Sequence, residues 1–184
     1  MITLTKKEFL EEKHVYFMQL KMGAVFVYPT DTIYGIGCDA TNAEAVKRIR
    51  DIKRRDKKPF SVIAPSKDWI RENCEVEKKD LDRLPGPFTL ILRLKNREVI
   101  AKDVNEGKET IGVRIPDHWI SDMIKGYGKP VVTTSVNRAG DEPITEVKRV
   151  NNNKVDFAID EGKIEGKPST VIDLTGKDEK ILRK

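Results

Sequence analysis

Two stretches of the sequence concentrate residue types that could bind a phosphate-bearing ligand. The segment 28–37, YPTDTIYGIG, places hydroxyls, one carboxylate and two glycines between two predicted elements. The segment 52–60, IKRRDKKPF, brings five Lys and Arg side chains close to the next predicted strand. Hydroxyls can donate to or accept from a polar ligand, and clustered cations stabilise anionic oxygens. Together the two stretches predict a site for a small polyanion, such as the phosphates of a nucleotide.

Polar side chains also gather where three further predicted strands begin or end. Arg114 lies at the end of one strand, where its planar guanidinium could bind a carboxylate through two hydrogen bonds. The segment 133–137, TTSVN, offers hydroxyls and an amide suited to ribose, base or oxyanion contacts, and segment 167–170, KPST, places hydroxyls at another strand start. Because α/β folds collect their sites at strand ends, we expect these groups to converge.

Each of these features also has a simpler structural explanation. Cations near a helix C-terminus interact favourably with the helix dipole and need no ligand. The glycines of the first segment could serve backbone geometry alone, Arg114 could form a surface salt bridge, and the hydroxyls of segment 167–170 could cap a turn. The motifs therefore need support from one another before they indicate a function.

Two familiar nucleotide-binding motifs do not account for the first segment. Residues 35–40, GIGCDA, match the dinucleotide pattern G-x-G-x-x-G/A, but six residues separate the preceding strand from the first glycine. The acid Asp56 also precedes the next strand, whereas a ribose-binding acid is expected at its end. No G-x-x-x-x-G-K-[ST] sequence occurs, which excludes a P-loop.

The composition indicates one cytoplasmic α/β domain over residues 1–184. The chain is 35% charged with a net charge of +5, which is compatible with anionic partners. Cys38 and Cys74 form no C-x-x-C pair, and His14 and His118 lie far apart, so we expect neither a disulfide nor a metal held by the protein. The absence of a long apolar run and of a signal peptide predicts no membrane partner.

The hydrophobic pattern alternates between helical and strand-like stretches. It predicts helices at 6–22, at 42–54 after a Thr41-x-x-Glu44 capping box, around Trp69 after Ser66, and from Pro116 to about Gly126. Strands are predicted at 24–28, 59–64, 88–94, 110–115, 131–134, 155–159, 170–174 and 180–183. Several strands follow one another without a helix, which indicates a mixed sheet flanked by helices.

Seven motifs in one order make the chain resemble the YrdC-like family of L-threonylcarbamoyladenylate synthases. The resemblance runs from about residue 20 to the end, and its motifs are YPTDTIYGIG at 28–37, KRR at 53–55 with KP at 58–59, LPGPFT at 84–89, VRIPDH at 113–118, TSVN at 134–137, STV at 169–171 and ILR at 181–183. It implies an open twisted mixed α/β sheet with a basic concave face. It also implies condensation of L-threonine, bicarbonate and ATP into threonylcarbamoyl-AMP and pyrophosphate, for threonylcarbamoyladenosine in tRNAs that read ANN codons.

The resemblance assigns roles to individual residues. Catalytic contacts to the phosphates or the carbamoyl–phosphate junction fall to Lys53 and Arg55, which match the family's K-x-R signature. Substrate binding falls to Thr30, Thr32, Tyr34, Lys58 and Arg114, with Arg114 on the threonine carboxylate. Nucleotide binding falls to Thr134, Ser135, Asn137, Ser169 and Arg183. Mg²⁺ would bind with ATP: the ATP phosphates and water molecules would coordinate it, with few ligands from the protein.

Two departures from the family pattern and two alternative functions remain. The sequence resembles the short, single-domain form, because it ends one residue after Arg183, and it has Ser61-Val-Ile-Ala where many long-form members have a His. A downstream threonylcarbamoyl transferase is implied as a partner, and direct binding of tRNA or double-stranded RNA is a further expectation. The alternatives are a non-catalytic RNA-binding module, with strongly salt-dependent affinity, and another carbamoyl or acyl adenylate-forming enzyme.

Overall fold

One mixed sheet organises the protein. The computed structural model describes residues 1–54, 58–137, 142–150 and 154–184. In these ranges, 11 strands form a single sheet in the order β1-β9-β2-β3-β8-β4-β7-β6-β10-β11, with β5 paired to β6. The strands are β1 (Ile2–Thr5), β2 (Phe26–Tyr28), β3 (Gly35–Gly37), β4 (Ser61–Ile63), β5 (Cys74–Glu75), β6 (Phe88–Leu94), β7 (Thr110–Arg114), β8 (Val131–Ser135), β9 (Phe157–Asp160), β10 (Thr170–Asp173) and β11 (Lys180–Arg183).

The sheet is mixed, as the sequence predicted. The pairs β1–β9, β2–β9, β4–β7 and β6–β10 are parallel, and the other pairs are antiparallel. Two 3₁₀ turns, Arg97–Val99 and Val147–Arg149, and seven helices accompany the strands in the described ranges. The helices are α1 (Lys6–Glu11), α2 (Lys13–Lys21), α3 (Ala43–Lys53), α4 (Lys67–Asn73), α5 (Lys78–Leu81), α6 (Lys102–Asn105) and α7 (Ile120–Tyr127).

The two faces of the sheet have separate hydrophobic cores. Neighbouring residues of a strand point to opposite faces, so Val62 joins a core with helices α3 to α6, whereas Ile63 joins a core with α1, α2 and α7. The second core includes residues of β1, β9, β2, β8 and β4, but none from β7, β6 or β10. The α1, α2 and α7 layer thus covers about half of its face.

Several local predictions need correction. Residues 35–37, expected to lie in a loop, form β3 between β2 and β8. Glycine is required there because a Cβ on Gly37 would collide with the Val132 carbonyl. The predicted 6–22 helix is interrupted at Glu12, and β1 precedes it. The cap of α3 is Asn42, which accepts from Ala45 N at 3.1 Å, because the Thr41 hydroxyl donates to Asp39 instead.

The helix expected from Pro116 begins later, at Ile120, because the residues before it form a turn. It ends at Tyr127, and Gly128 follows with φ of 80°, a left-handed conformation that suits glycine at a helix end. The remaining predicted strands and the Ser66-capped helix are found within one to three residues of their expected ends. The elements that carry the predicted site residues are therefore largely those that the sequence predicted.

Candidate functional site

The uncovered half of the second face forms a cavity of about 990 Å³. Its floor includes a row of residues that are neighbours in register across five adjacent strands: Thr133, Ser61, Gly112, Ile91 and Asp173. A Cβ on Gly112 would collide with the Ser61 hydroxyl, so the centre of the floor has no side chain at this position. A cleft of this volume is large enough for a nucleotide.

The loop between β2 and β3 forms one wall, and its own hydroxyls fix its shape. Thr30 Oγ1 donates to Ile33 O at 2.7 Å and accepts from Thr32 N at 3.1 Å. The Thr30 and Thr32 hydroxyls are 2.9 Å apart, and both residues are buried. Because these hydrogen bonds form within the loop, the loop holds its shape beside the cavity without a ligand.

Arg114 lies at the end of β7 beside this loop. Its Nη2 is 2.5 Å from Asp31 Oδ1, its Nη1 donates to Thr32 at 3.2 Å, and its Nε has no hydrogen-bond partner among the described residues. Burial lowers the pKa of Arg114, and the Asp31 carboxylate counteracts this effect. Asp31 also accepts from Asp117 N at 3.1 Å, so it fixes the guanidinium against the following loop.

Lys53 ends α3 and reaches across to β8. It is 6% exposed, and its ammonium donates to Ser135 O at 2.6 Å and to Asn137 O. The contact joins two predicted groups, since Ser135 and Asn137 line the same cavity together with Thr134. The simple helix-dipole explanation for Lys53 is therefore incomplete. The other predicted catalytic residue, Arg55, lies outside the described residues.

Tyr34 lines the cavity, but its hydroxyl is bound elsewhere. It donates to Gly162 O at 2.8 Å or Asp160 Oδ1 at 3.3 Å, and accepts from Glu161 N at 3.0 Å. Burial raises the pKa of Tyr34 to about 12, against the opposing effect of the Glu161 N–H. The hydroxyl thus ties the loop between β2 and β3 to the turn after β9, and it is the ring that contributes to the cavity wall.

The tail predicted to close over the nucleotide is ordered as β11. Arg183 donates to Ser169 O through Nε at 3.0 Å and Nη2 at 2.7 Å. The Ser169 hydroxyl is 2.8 Å from that of Thr89 on β6. Burial lowers the pKa of Arg183. Ser169 and Arg183 both line the cavity, so the sequence-based grouping of the tail with the other motifs agrees with the geometry.

The cavity is strongly cationic. Eleven of the twelve predicted site residues line it, and the twelfth, Arg55, lies outside the described residues. Its described cations are Lys53, Arg54, Lys58, Lys108, Arg114 and Arg183, against one acid, Asp173. In the described ranges, no group of three or more His, Cys, Asp or Glu residues could hold a metal ion. The arrangement suits an elongated anion, with polar floor groups to orient its uncharged parts.

Sequence reasoning missed several groups of the site. Among them are the Arg114 partner Asp31 and the cavity-lining residues Ser61, Thr89, Thr110, Lys108 and Asp173. A usable signal was present in β7, where polar or glycine residues alternate with apolar ones, and in β6, where Thr89 and Arg93 lie on the same face of an otherwise apolar strand. Such alternation indicates that one face of each strand is not covered by apolar side chains.

The fold and the cavity together define an open mixed α/β domain with a cationic cavity on one face of its sheet. The model of the Sua5/YciO/YrdC family, described as "Telomere recombination", matches residues 18–184. The chain belongs to this family. In the described ranges, none of its helices has the length and apolar character needed to cross a bilayer.

Two relatives carry closely similar names. A Methanocaldococcus jannaschii protein named "Putative threonylcarbamoyl-AMP synthase" is 39% identical over 171 residues, covering 87% of this chain and 78% of its own. A Vibrio campbellii protein named "Threonylcarbamoyl-AMP synthase" is 31% identical over 177 residues, covering 89% and 94%.

Solved structures show the same fold. The crystal structure of P. abyssi Sua5 complexed with L-threonine has a TM-score of 0.86 at 28% identity, over 99% of this chain and 56% of that one. E. coli YciO has a TM-score of 0.84 at 25% identity, over 100% and 93%. The chain thus spans about half the length of P. abyssi Sua5. The predicted family and fold class are confirmed.

Proposed function

We propose that the protein is a threonylcarbamoyl-AMP synthase, which condenses L-threonine, bicarbonate and ATP into threonylcarbamoyl-AMP and pyrophosphate. The observation that carries the proposal is the convergence of eleven predicted site residues on one cationic cavity. The names of the relatives and the L-threonine complex of P. abyssi Sua5 support the same activity. The reaction would make the protein a nucleotidyltransferase that acts in the cytoplasm, in the modification of tRNA that reads ANN codons.

The chemistry requires positioning and charge stabilisation rather than a protein nucleophile. The threonine amine and bicarbonate form a carbamate with loss of water. A carbamate oxygen then attacks the α-phosphorus, and the bond from that phosphorus to the bridging oxygen breaks as pyrophosphate leaves. Negative charge grows on the bridging and equatorial oxygens, and fixed cations in a partly dry cleft stabilise it, each lost donor costing roughly 3 kcal/mol of barrier.

We assign these tasks to two parts of the cavity. Arg114, held by Asp31 at the wall of the cavity, would bind the threonine carboxylate through its guanidinium. Lys53 would stabilise the reacting phosphate while fixing the end of β8 at Ser135 and the loop that follows it at Asn137. Backbone and hydroxyl groups of that loop, with Ser169 and Arg183, would contact the nucleotide.

The described lining residues do not form a magnesium cage. They include one carboxylate, Asp173, whose Oδ1 accepts from the backbone N and hydroxyl of Thr175. Mg²⁺ prefers six oxygen ligands and retains waters readily, so it would enter on the ATP phosphates. The labile product would pass to a downstream threonylcarbamoyl transferase. Direct contact with tRNA or double-stranded RNA is a separate proposal that the net charge of +5 makes electrostatically feasible.

The experiment that tests the function is pyrophosphate release from ATP and Mg²⁺ by the purified protein. L-threonine and bicarbonate are each omitted in turn, and L-serine replaces L-threonine in a further reaction. Release that requires both co-substrates supports the synthase. Release without L-threonine would indicate different adenylate chemistry. No release from folded protein that binds RNA in a salt-dependent manner would favour the RNA-binding module.

A further inference from the structure

One end of the cavity holds lysines that the described protein does not neutralise. Strands β4 and β7 are parallel and pair Ser61 with Gly112. Lys58 lies three residues before Ser61, and Lys108 lies four before Gly112, so both precede the same end of this strand pair. Phe60 N donates to Val104 O at 2.8 Å, which holds the two incoming segments together. Lys58 and Lys108 are therefore neighbours in the fold, and both line the cavity.

The turn that carries Lys108 is built rigidly. Asn105, which is 3% exposed, donates through Nδ2 to Lys108 O at 2.7 Å and to Thr110 O at 3.1 Å. Its Oδ1 accepts from Gly107 N at 3.2 Å. Glu106 and Gly107 both have left-handed backbone conformations, with φ of 59° and 69°. A buried side chain that bonds three backbone groups fixes where the Lys108 main chain stands relative to the cavity.

The acids of this turn are paired with arginines rather than with Lys108. Glu106 is 2.6 Å from Arg50 Nη2, and Glu109 is 3.9 Å from Arg97 Nη1. Neither Lys108 nor Lys58 has a side-chain ion pair with the described residues, in contrast to Arg114, which is 2.5 Å from Asp31. Like charges side by side repel one another, and an anionic ligand relieves that repulsion. Because Glu106 and Glu109 pair with arginines, the ammonium groups of Lys58 and Lys108 remain as positive charges that an anionic ligand could bind.

We propose that Lys108, together with Lys58, forms a subsite for the β- and γ-phosphates of ATP and for the pyrophosphate that leaves. The proposal rests on the proposed function for the identity of the leaving group. When the bond between the α-phosphorus and the bridging oxygen breaks, the electron pair stays on pyrophosphate, and two ammonium groups there stabilise the charge. The subsite would make the cavity selective for a triphosphate over a monophosphate.

The test compares the binding of pyrophosphate and of AMP by calorimetry, at fixed MgCl₂ and ionic strength and without L-threonine. Lys108→Gln and Lys58→Gln are measured beside Lys78→Gln, an exposed lysine of α5 outside the cavity. We expect each cavity variant to weaken pyrophosphate binding about fivefold to tenfold, as for loss of one charged contact. AMP affinity should change less than twofold, and Lys78→Gln should resemble the wild type.

Two results would overturn the subsite. Unchanged pyrophosphate affinity in Lys108→Gln would show that this lysine does not contact the phosphates, and equal weakening of AMP and pyrophosphate would show only a general field effect. Thermal unfolding of each variant excludes misfolding as the cause. Because binding is measured apart from turnover, the subsite can hold for a protein that releases no pyrophosphate in the synthase assay, in which case the proposed function alone fails.

Discussion

Removing the Tyr34 hydroxyl tests whether this residue has a structural role, as its hydrogen bonds indicate, or the substrate-binding role that the sequence predicted. Replacing Tyr34 with Phe keeps the ring in the cavity wall and removes the hydroxyl. That hydroxyl accepts from Glu161 N at 3.0 Å and donates to Gly162 O at 2.8 Å, or alternatively to Asp160 Oδ1 at 3.3 Å. The phenol stays protonated, and hence able to donate, because its pKa is raised to about 12.

The magnitude follows from two hydrogen bonds. A neutral hydrogen bond contributes about 0.5–1.5 kcal/mol, so Tyr34→Phe should lower the free energy of unfolding by about 2 kcal/mol. For a chain of 184 residues this corresponds to a fall in Tm of roughly 4–8 °C. Affinity for L-threonine and ATP should change less than twofold, because the hydroxyl faces the turn after β9 rather than the ligand.

Urea unfolding and calorimetry of the same preparations provide the two measurements. Tyr16→Phe is the matched control, since the Tyr16 ring is buried and its hydroxyl forms no hydrogen bond with the described residues. The control should unfold within about 0.5 kcal/mol of the wild type, as is typical where no special interaction is lost. Unchanged stability in Tyr34→Phe, together with more than tenfold weaker substrate binding, would refute the reasoning and restore the sequence-based role.

Three further predictions concern contacts that support the site or the core. Lys53→Met should lower turnover at least a hundredfold and destabilise the fold by about 1–3 kcal/mol, because the carbonyls that its ammonium bonds lose a charged donor; pyrophosphate release and urea unfolding measure the two effects. Gly166→Ala should cost about 1–3 kcal/mol in urea unfolding and weaken L-threonine binding, since its Cβ would collide with the Thr32 carbonyl. Asp39→Asn should make the free energy of unfolding less dependent on pH in acid. Burial acts to raise the pKa of Asp39, but hydrogen bonds from Thr41, Tyr127 and Lys129 hold that pKa below its usual value. The stabilisation by the Asp39 carboxylate is present above its unfolded pKa of about 3.9 and is lost as pH falls further. The free energy of unfolding, measured between about pH 5 and 2, should therefore depend less on pH in the variant. An unchanged pH dependence would contradict a stabilising role of the ionised carboxylate.

The sequence predicted the features of the fold that depend on local pattern. Helix α3 was predicted because its apolar residues recur at helical spacing, and β6 and β7 because short apolar runs lie between turn residues. Strand β1 was missed because its four residues gain their order from pairing with β9, more than 150 residues later. Strand β3 was missed for a related reason. Glycines usually indicate a turn, and the need for Gly35 in a strand becomes visible only from the Tyr28 ring, which leaves no room for a Cβ there.

The residues of the site were easier to predict than the relations between them. Type and motif order identified Arg114, but not that Asp31, 83 residues away in the chain, binds its guanidinium. Similarly, the cationic segment after α3 suggested a ligand, but not that Lys53 is bonded to the β8 loop. Ion pairs and hydrogen bonds across the sheet depend on register and strand order, and neither can be obtained from residue spacing in one sequence.

Under the proposed function, the pairing pattern would explain how one cavity distinguishes two substrates. The Arg114 guanidinium is bound to Asp31, so it is oriented before any ligand arrives and would select a small carboxylate by geometry. The lysines at the opposite end have no acid partner among the described residues, and their flexible ammonium groups select by charge. Under the proposed function, the amino acid would bind at one end of the cavity and the triphosphate at the other. Negative charge that moves onto the leaving group would then move toward Lys58 and Lys108, which have no acid partner among the described residues.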